Sequence, residues 1–509
     1  MKSAKKSINI VIALIMVIVL ILSACSNSDP ANSKATSNNV PKAEKENEKP
    51  TEVSIFTQFT IAQPPEPDGV YQKELEKRTN TKMNITWITG PDFVQRLNVA
   101  LASGELADLM TINDVTNPVF QDMVKQGAFW DLSPYVKDYP NLMNHPEIIW
   151  ENTKIDGKNF VVPVARPLDG FVFPSIRKDW LDKLGLEVPK TTEDLYNVMK
   201  AFKENKPDGQ ADTVGYTMRA VDFVQYLFAG TSGTYKIKGD NLVNTNLEPE
   251  MKTYLLYMKR LYDEGLIPAD YSVMKDNNFW DLATSGRAGV TAETIEALWR
   301  WTYDQWKRDP NVEWLPLVSL DAGAGQFVPQ FRGYIGVQAI PKSVPEEKMK
   351  KILAMLDYGA SQEGGDLTLY GIEGIHYDVV DGFKIATEQA VKDSVGIGSF
   401  GKFFMRFDPY MYALAPGMPK EVFERNKKIV DERAKISTPD PSIGLVSQTD
   451  IKQGADYAKK IADLKVQVIM GKEPIEAWDK LVSDLSNDAT YQKIITEIND
   501  AYQERKSAK

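Results

Sequence analysis

Cysteine and histidine are nearly absent from this chain of 509 residues, which contains one Cys and two His. A single Cys excludes a framework of internal disulfide bonds and a zinc site built on cysteines. Two His exclude a metal centre that consists mainly of imidazole ligands. Basic residues are outnumbered by acidic ones, 60 against 70, which gives a formal net charge of −10. Because attraction to phosphate depends on positive charge, this balance argues against a nucleic-acid partner.

The common catalytic motifs are also missing. Neither His145 nor His376 belongs to an H-E-x-x-H metalloprotease motif, and there is no G-x-S-x-G nucleophile elbow and no Walker A loop. One G-x-G-x-x-G motif occurs at Gly396, Gly398 and Gly401, but a polar stretch precedes it where a nucleotide-binding motif has a strand. We interpret it as a glycine-rich loop. Pairs of carboxylates are not evidence for a glycosidase here. Among 70 acidic residues, some pair always lies at the separation that a glycosidase uses.

A long apolar run occurs only near the N-terminus, at residues 8–22. Lysines precede this run and small residues follow it, a pattern typical of a secretory signal peptide. The run is shorter than the about 20 residues that a membrane-spanning helix needs. The only cysteine, Cys25, follows Leu-Ser-Ala, which resembles the lipobox of bacterial lipoproteins. We predict a signal peptide at 1–24 and lipidation of Cys25, and an N-terminal anchor that is never cleaved is the alternative.

The next segment, 25–52, is predicted to be a disordered tether that begins at the lipidated Cys25. Residues 26–52 are mainly Ser, Asn, Lys, Glu and Pro, and Val40 is their only large apolar residue. Such a segment cannot bury enough apolar surface to become ordered. We therefore expect the protein on the extracellular face of the cell membrane, held by its N-terminal lipid. No later segment has a long uncharged apolar run, so we do not expect a channel or a permease.

From residue 53 onward, the apolar pattern predicts alternating strands and helices. Strands are predicted at 53–56, 83–87 and 107–112, and helices at 69–79 and 93–103. The order β-α-β-α-β predicts an α/β layer with a parallel or mixed sheet. Further segments with helical spacing of apolar residues begin near 191, 251 and 349, and roughly the last hundred residues are predicted to be mainly helical.

Aromatic side chains are abundant, with 10 Trp and 21 Tyr in the chain. Trp299, Trp301 and Trp306 follow an apparent strand at 288–291, and Glu293 lies beside them. Sugars have apolar C–H faces and rims of hydroxyl groups, so a sugar site needs flat aromatic surfaces and a few fixed polar partners. This cluster therefore indicates carbohydrate binding. The alternative is that these tryptophans pack in a hydrophobic core.

Several short segments resemble one known family. They are residues 176–194 (IRKDWLDKLGLEVPKTTED), 370–377 (YGIEGIHY) followed by Gly382, 103–108 (SGELAD), 156–158 (DGK) and 285–289 (SGRAG). Together they are similar to the family 1 extracellular solute-binding proteins, in the branch of LplA-type lipoproteins. The resemblance extends from about residue 53 to the C-terminus.

The resemblance implies an α/β fold with two lobes, a periplasmic-binding-protein-like (type II) clam whose chain crosses the hinge more than once. We assign residues 53–163 with 328–395 to lobe 1, and residues 164–327 with 396–509 to lobe 2. The ligand is expected in the cleft between the lobes. The family also implies a protein without enzymatic activity and without a cofactor.

The function implied is that of a membrane-anchored lipoprotein, a monomer, which captures an oligosaccharide and delivers it to the permease subunits of an ABC transporter. By similarity to maltose-binding-type proteins, Trp299 and Trp301 are predicted to stack on the sugar, and Trp280 is a weaker candidate. The polar candidates stand at predicted strand ends that face the cleft: Gln58, Asp114, Arg166, Arg219, Glu293, Arg332 and Tyr334. For Arg166 and Arg219 an ion pair at the surface or between lobes is the alternative, and for the acids a solvated loop or a helix cap.

One loop departs from the pattern of alginate-binding relatives, which carry a calcium loop with acidic and amide oxygens. Here the corresponding stretch is 206–213, with Lys206 at the first acidic position. Calcium takes six to eight oxygen ligands, and an ammonium group cannot ligate a cation. We therefore predict that this loop holds no calcium, and we predict no other metal site.

Two other classes of function remain open from the sequence. One is a secreted polysaccharide-active enzyme, either a lyase or a glycosidase, which the aromatics and acids would suit. The other is a surface adhesin or carbohydrate sensor without a transporter. The sequence does not determine the identity, length or charge of the sugar. The acidic net charge disfavours an acidic ligand, but the local charge of the cleft decides this.

Overall fold

The computed structural model describes residues 49–218, 223–323, 325–380, 382–415 and 418–507, apart from the side chain of Asp276. Lys49–Lys509 form one compact unit. The predicted signal peptide, Cys25 and nearly all of the predicted tether lie outside the described residues, as does Arg219. Among the described residues, no helix is both long enough and apolar enough to cross a membrane.

The strands of the described part are, in chain order, β1 (Thr51–Phe59), β2 (Thr81–Thr89), β3 (Leu109–Ile112), β4 (Val161–Ala165), β5 (Phe173–Arg177), β6 (Val214–Tyr216), β7 (Tyr235–Lys238), β8 (Asn241–Asn244), β9 (Ala288–Glu293), β10 (Trp314–Pro316), β11 (Leu320–Asp321), β12 (Gln326–Gln330), β13 (Tyr334–Ala339), β14 (Tyr377–Val380), β15 (Phe383–Ala386) and β16 (Ser437–Pro439).

The α-helices of the first half are α1 (Val70–Thr79), α2 (Gly90–Ser103), α3 (Pro118–Lys125), α4 (Pro140–Met143), α5 (Glu147–Glu151), α6 (Lys178–Leu184), α7 (Thr192–Asn205), α8 (Phe223–Ala229) and α9 (Pro249–Asp263). Those of the second half are α10 (Asp276–Thr284), α11 (Ile295–Arg308), α12 (Glu346–Ala360), α13 (Gln362–Tyr370), α14 (Glu388–Lys392), α15 (Lys420–Ala434), α16 (Gln448–Ile469), α17 (Ile475–Asn487) and α18 (Ala489–Ser507).

The first sheet has the strand order β2-β1-β3-β13-β4. β1 pairs in parallel with β2 and β3, and β13 returns antiparallel to β3 and β4. Alternate residues of β1 are buried, including Val53 and Ile55, as expected for a strand with one well-covered face. The predicted β-α-β-α-β order is therefore confirmed, with a mixed sheet. The helices predicted from 191, 251 and 349 are present as α7, α9 and α12, and the C-terminal region is mainly helical.

A second sheet has the order β10-β5-β9-β6, in which β5 runs antiparallel to both of its neighbours and β6 runs parallel to β9. β5 and β9 are buried along their whole length. Trp180 and Phe202 pack in the hydrophobic cluster of this sheet, together with Trp478 from α17. The C-terminal helices therefore complete the core of the second sheet rather than form a separate domain.

The chain passes between the two sheets three times, through residues 166–172, 331–333 and 405–410. The first crossing contacts the second and also the end of the third and the residues that follow it. The Phe171 ring lies 4.9 Å from that of Phe331 and 5.5 Å from that of Tyr412, measured between ring centres. The backbone N–H of Phe331 donates to the carbonyl of Leu168 at 2.8 Å. This connectivity agrees with the prediction of a two-lobed fold whose chain crosses the hinge more than once.

The lobe boundaries remain predictions, with one difference at the third crossing. The sequence assignment places residues from 396 onward in lobe 2, whereas Phe400, Phe403 and Phe404 pack in the hydrophobic cluster of the first sheet. The ring of Phe400 lies 4.8 Å from that of Tyr71. These phenylalanines stay with the first sheet because their rings fill the space between α1 and the sheet, so this crossing begins after residue 404.

Candidate ligand-binding cleft

The carboxyl edge of the first sheet collects five of the predicted polar residues. β1, β3 and β4 run in one direction and end at this edge, and the antiparallel β13 begins there. Side chains that follow strand ends in such sheets lie beside each other and commonly form ligand sites. The edge therefore carries the following residues: Gln58, Asp114, Arg166, Arg332 and Tyr334.

Three of these residues form a connected group. Arg332 makes an ion pair with Asp114, although the two residues are 218 positions apart. The Arg332 guanidinium carbon lies 4.5 Å from the ring centre of Tyr334, and its Nε donates to the Tyr334 carbonyl oxygen at 2.9 Å. Burial, and next the charge of Asp114, raises the pKa of Tyr334, so this phenol stays protonated at neutral pH. The group presents fixed polar atoms beside an aromatic face.

Arg166 also lies at this edge and is 2% exposed. Its guanidinium donates to the carbonyl oxygens of Ala165 at 2.8 Å and Gly401 at 2.9 Å. Lys402 lies beside it, and burial followed by the charge of Arg166 lowers the pKa of Lys402 to about 8. Within the described residues, neither cation has a carboxylate oxygen within 4.0 Å. Lys402 was missed by the sequence argument, whose only signal there was a basic residue within the apolar stretch 400–407.

The second sheet ends opposite this edge, because the crossings connect the two. Glu293 is the last residue of β9 and lies opposite Phe173, the first residue of β5. Its carboxylate accepts from the backbone N–H of Thr294 at 2.7 Å. One residue into α11, burial raises the pKa of Glu296, while its ion pair with Arg300 at 3.2 Å opposes this change. The second edge therefore carries the carboxylates of Glu293, which is 5% exposed, and Glu296.

The predicted tryptophans separate into two groups. Trp299 contacts Trp306, with ring centres 5.3 Å apart, whereas Trp301 contacts Trp280 of α10 at 4.6 Å. Positions two apart on a helix differ by about 200° around its axis, so Trp299 and Trp301 point away from each other. Sequence proximity suggested a joint pair of sugar-stacking rings, but the structure does not bring these two rings onto one surface.

Trp299 lines a groove on the side of the second lobe, with a cavity volume of about 600 Å³. Trp306 of α11, Trp314 of β10 and Val422 of α15 also line it. Every lining residue comes from α6, α11, β10, α15 or the segments that adjoin them, so the groove belongs to one lobe. The Trp299 ring therefore faces this lateral groove, and the polar edges of the two sheets are a separate surface.

The G-x-G-x-x-G stretch packs against the segment that follows β1. The carbonyl of Gly398 accepts from the backbone N–H of Thr60 at 2.8 Å. A Cβ atom at Gly398 would lie only 2.5 Å from the Cγ2 atom of Ile61, so glycine is required there for close packing. The motif is a loop that borders the cleft, followed by the short 3₁₀ helix Phe400–Lys402. This agrees with its interpretation as a glycine-rich loop.

The loop at 206–213 uses its acidic groups for internal contacts. One oxygen of Asp208 accepts from the backbone N–H of Gln210 at 3.0 Å and from the Thr213 hydroxyl at 2.7 Å. Asp212 pairs with Arg287 at 2.6 Å. Within the residues that the structure covers, no group of three or more His, Cys, Asp or Glu side chains could hold a metal ion. The absence of calcium here remains a prediction.

Residues 61–366 match the family model of the bacterial extracellular solute-binding proteins. The chain belongs to this family. It is 30% identical to the polygalacturonan/rhamnogalacturonan-binding protein YtcQ of Bacillus subtilis, over 98% of this chain and 99% of that protein. It is 29% identical to lipoprotein LipO of the same organism, over 96% and 97% of the two chains.

A solved structure shares the fold at lower sequence identity. The Streptococcus pneumoniae ABC-transporter substrate-binding protein FusA in complex with kestose superposes with a TM-score of 0.66 at 20% identity, over 90% of this chain and all of that one. The family and the two-lobed α/β fold that the sequence motifs implied are both confirmed. The family also confirms that this is a solute-binding protein rather than an enzyme.

Proposed function

We propose that this protein captures an oligosaccharide in the cleft between its lobes and delivers it to the permease of an ABC transporter. The observation that carries the proposal is the pair of polar sheet edges, with Arg332, Asp114 and Tyr334 on one and Glu293 on the other. Relatives support the ligand class, since YtcQ is described as binding polygalacturonan and rhamnogalacturonan, and FusA is described with the fructooligosaccharide kestose.

We expect the lobes to close on the ligand because the groups that bind it belong to different lobes. Hydroxyl groups of a sugar would accept from the Arg332 guanidinium and donate to the Glu293 carboxylate. These residues belong to different lobes, so only a closed arrangement lets both contact the ligand, and the ligand therefore favours that arrangement. Residues 166–172, 331–333 and 405–410 are the segments that would bend. The closed protein would present the surface that the permease recognises.

A thermal-shift screen with neutral and acidic oligosaccharide fragments tests this proposal. A ligand that binds only the native protein adds about 2.7 kcal/mol to the free energy of unfolding at one hundred times its Kd, and so raises the Tm. We expect a rise with at least one fragment and none with the corresponding monosaccharide. If no fragment of any class raised the Tm of well-folded protein, oligosaccharide capture would be wrong.

The tryptophan assignments need a separate test, since Trp299 and Trp301 occupy different surfaces. We predict that Trp299→Ala and Trp301→Ala do not both weaken binding of one bound fragment. Loss of a stacked ring should cost about 1 kcal/mol or more, a fivefold or greater rise in Kd. Isothermal titration calorimetry of both variants measures this, with Trp280→Ala expected to behave like Trp301→Ala because the two rings are in contact. Equal losses for Trp299→Ala and Trp301→Ala would contradict the assignment of separate surfaces.

We also propose that the mature protein is anchored to the outside of the cell membrane through a lipid on Cys25. The sequence Leu-Ser-Ala-Cys supports this, as does the name of the relative LipO, which describes a lipoprotein. We predict that Cys25→Ala abolishes labelling by radioactive palmitate in cells. The matched variant Ser26→Ala should still be labelled and should remain with the membrane fraction. Labelling of the Cys25→Ala protein would show that the lipid is attached elsewhere.

A further inference from the structure

Among the described residues, two neighbouring cations, the buried Arg166 and the half-buried Lys402, have no carboxylate oxygen within 4.0 Å. The backbone of Arg166 is tied to the second crossing by its N–H, which donates to the Gly333 carbonyl at 2.7 Å. The backbone of Lys402 is tied to β13, because Gln338 donates to its carbonyl oxygen at 3.1 Å. Burying positive charge is costly unless the charge is paired and fully hydrogen-bonded. The free-energy cost of placing these two positive charges here is therefore unusual, and a negative group is needed to offset it.

A buried arginine elsewhere in the chain shows what a purely structural cation looks like. Arg433 donates to four carbonyl oxygens, those of Asp169, Leu317, Val318 and Val172, at 3.2–3.3 Å. The guanidinium of Arg166 has two carbonyl partners and the Tyr412 side chain, and its Nε is buried with no hydrogen-bond partner. Arg166 also has a like charge beside it in Lys402. Arg166 therefore lacks hydrogen-bond partners and compensation of its charge, whereas every nitrogen of the Arg433 guanidinium donates to a carbonyl.

Acidic side chains on the neighbouring segments do not supply the missing charge. Asp114 is paired with Arg332, and Asp408 with Arg406 at 3.5 Å. The side chain that adjoins Arg166 from the segment after the third crossing is that of Tyr412, which is not an acid. Arg166 follows β4 at the edge that faces the cleft, and Lys402 follows Gly401, whose carbonyl accepts from Arg166, so a negative group that enters there with a ligand would compensate both charges.

We propose that Arg166 and Lys402 form an anion-binding subsite that takes a carboxylate of an acidic oligosaccharide. This inference rests on the proposed function, and names the class of sugar that the cleft would accept. A guanidinium and an ammonium can each donate a charge-assisted hydrogen bond to a carboxylate oxygen, and such bonds are roughly twice as strong as neutral ones. The net charge of −10 does not oppose this, because charges beyond about 10 Å are screened in physiological salt.

The test compares acidic fragments with their own neutral forms by isothermal titration calorimetry of the mature chain. The probes are trigalacturonate, trimannuronate and a hyaluronan tetrasaccharide, each beside its carboxyl-reduced derivative. We expect at least one acidic fragment to bind about tenfold or more tightly than its reduced form. Lys402→Gln should abolish that difference, while Lys402→Arg should largely retain it. Lys435→Gln, an exposed position on another surface, makes the same change in net charge and should have no effect.

Several results would overturn the subsite. Equal affinity for acidic and reduced fragments, or no acidic fragment bound while a reduced one binds, would refute it and leave oligosaccharide capture standing. An unchanged preference in Lys402→Gln would also refute it, given an unaltered circular dichroism spectrum. Competition by inorganic phosphate at the same concentration as the sugar would show a site for free anions rather than for a sugar carboxylate. No binding of any fragment in either form would refute both proposals.

Discussion

Glu497 is a single carboxylate on α18 that holds the start of α16. It accepts from the Ser447 hydroxyl at 2.6 Å, the backbone N–H of Thr449 at 2.9 Å and the Thr449 hydroxyl at 2.9 Å. Ser447 also caps α16 by accepting from the backbone N–H of Asp450. These bonds, of which the one from Ser447 contributes most, lower the pKa of Glu497 to about 2. One residue thereby couples two helices that pack against each other.

We predict that the stabilising effect of Glu497 depends on pH. Its folded-state pKa of about 2 lies below the ordinary value of 4.5, so its contribution is present above about pH 4.5 and is lost as the pH falls toward 2. Glu497→Gln should lower the free energy of unfolding at pH 7 by about 1–2 kcal/mol. Urea unfolding of both proteins should show this difference shrinking below pH 4.5. Glu504→Gln, an exposed position on α18, should show no such trend, and a constant difference for Glu497→Gln would disprove the coupling.

α7 shows how one element is specified by its first turn and its buried face. The Thr191 hydroxyl accepts from the backbone N–H of Asp194 at 3.0 Å, and the Asp194 carboxylate accepts from the backbone N–H of Thr191 at 3.0 Å. This capping box satisfies N–H groups that have no partner within the helix. The buried face of α7 packs on β9, where the ring of Phe202 lies so close that a Cβ atom at Gly289 would be 2.1 Å from it.

We predict that Thr191→Ala lowers the free energy of unfolding by about 1 kcal/mol, because it removes the N-terminal cap of α7. Thr191→Ser should retain most of the stability, since its hydroxyl can accept the same bond. The double variant Thr191→Ala with Asp194→Ala should lose less than the sum of the single variants, because the two side chains act as one motif. Chemical denaturation of these variants, of Asp194→Ala and of the unchanged protein gives these values, and full additivity would mean that the two caps are independent.

The described part of the chain contains two larger sheets with separate hydrophobic clusters and three smaller sheets, and three crossings join the two larger ones. The ring of Phe171 in the first crossing contacts Phe331 of the second and Tyr412, which lies two residues after the third. Gly170 of the first crossing also lies close to the third, since a Cβ atom there would be 2.8 Å from the Pro409 carbonyl oxygen. A bend at this point moves one lobe relative to the other without disturbing either core, which is how hinged domains close around ligands.

We predict that a bound oligosaccharide reduces the radius of gyration of the protein in solution, because the ligand stabilises contacts from both lobes at once. Small-angle X-ray scattering with and without a saturating fragment measures this change. A fragment that fails to raise the Tm serves as the control and should leave the scattering curve unchanged. Saturable binding with no change in the radius of gyration would show that the ligand contacts only one lobe.

The sequence by itself determined the class of this protein and the outline of its architecture. Alternation at 83–87 and helical spacing at 93–103 are properties of contiguous residues, so they predicted β2 and α2 without knowledge of the fold. Short motifs such as 285–289 identified the family for the same reason, and the close approach of Phe202 to Gly289 explains one residue of that motif. The signal peptide and the lipidation of Cys25 were also predicted from contiguous residues. They remain predictions because they lie outside the described residues.

Only the tertiary structure decided how the site is assembled. Asp114 and Arg332 are paired across 218 positions, and no local pattern in the sequence predicts such a contact. The phase of α11 directs Trp299 and Trp301 to different surfaces although they are two positions apart. Lys402 comes close to Arg166 because the carbonyl of the preceding Gly401 accepts from Arg166, a contact across 235 positions. Residues that are distant in the chain determine which groups pair, which surface a side chain points to and how deeply it is buried. These three properties determine the chemistry of the cleft.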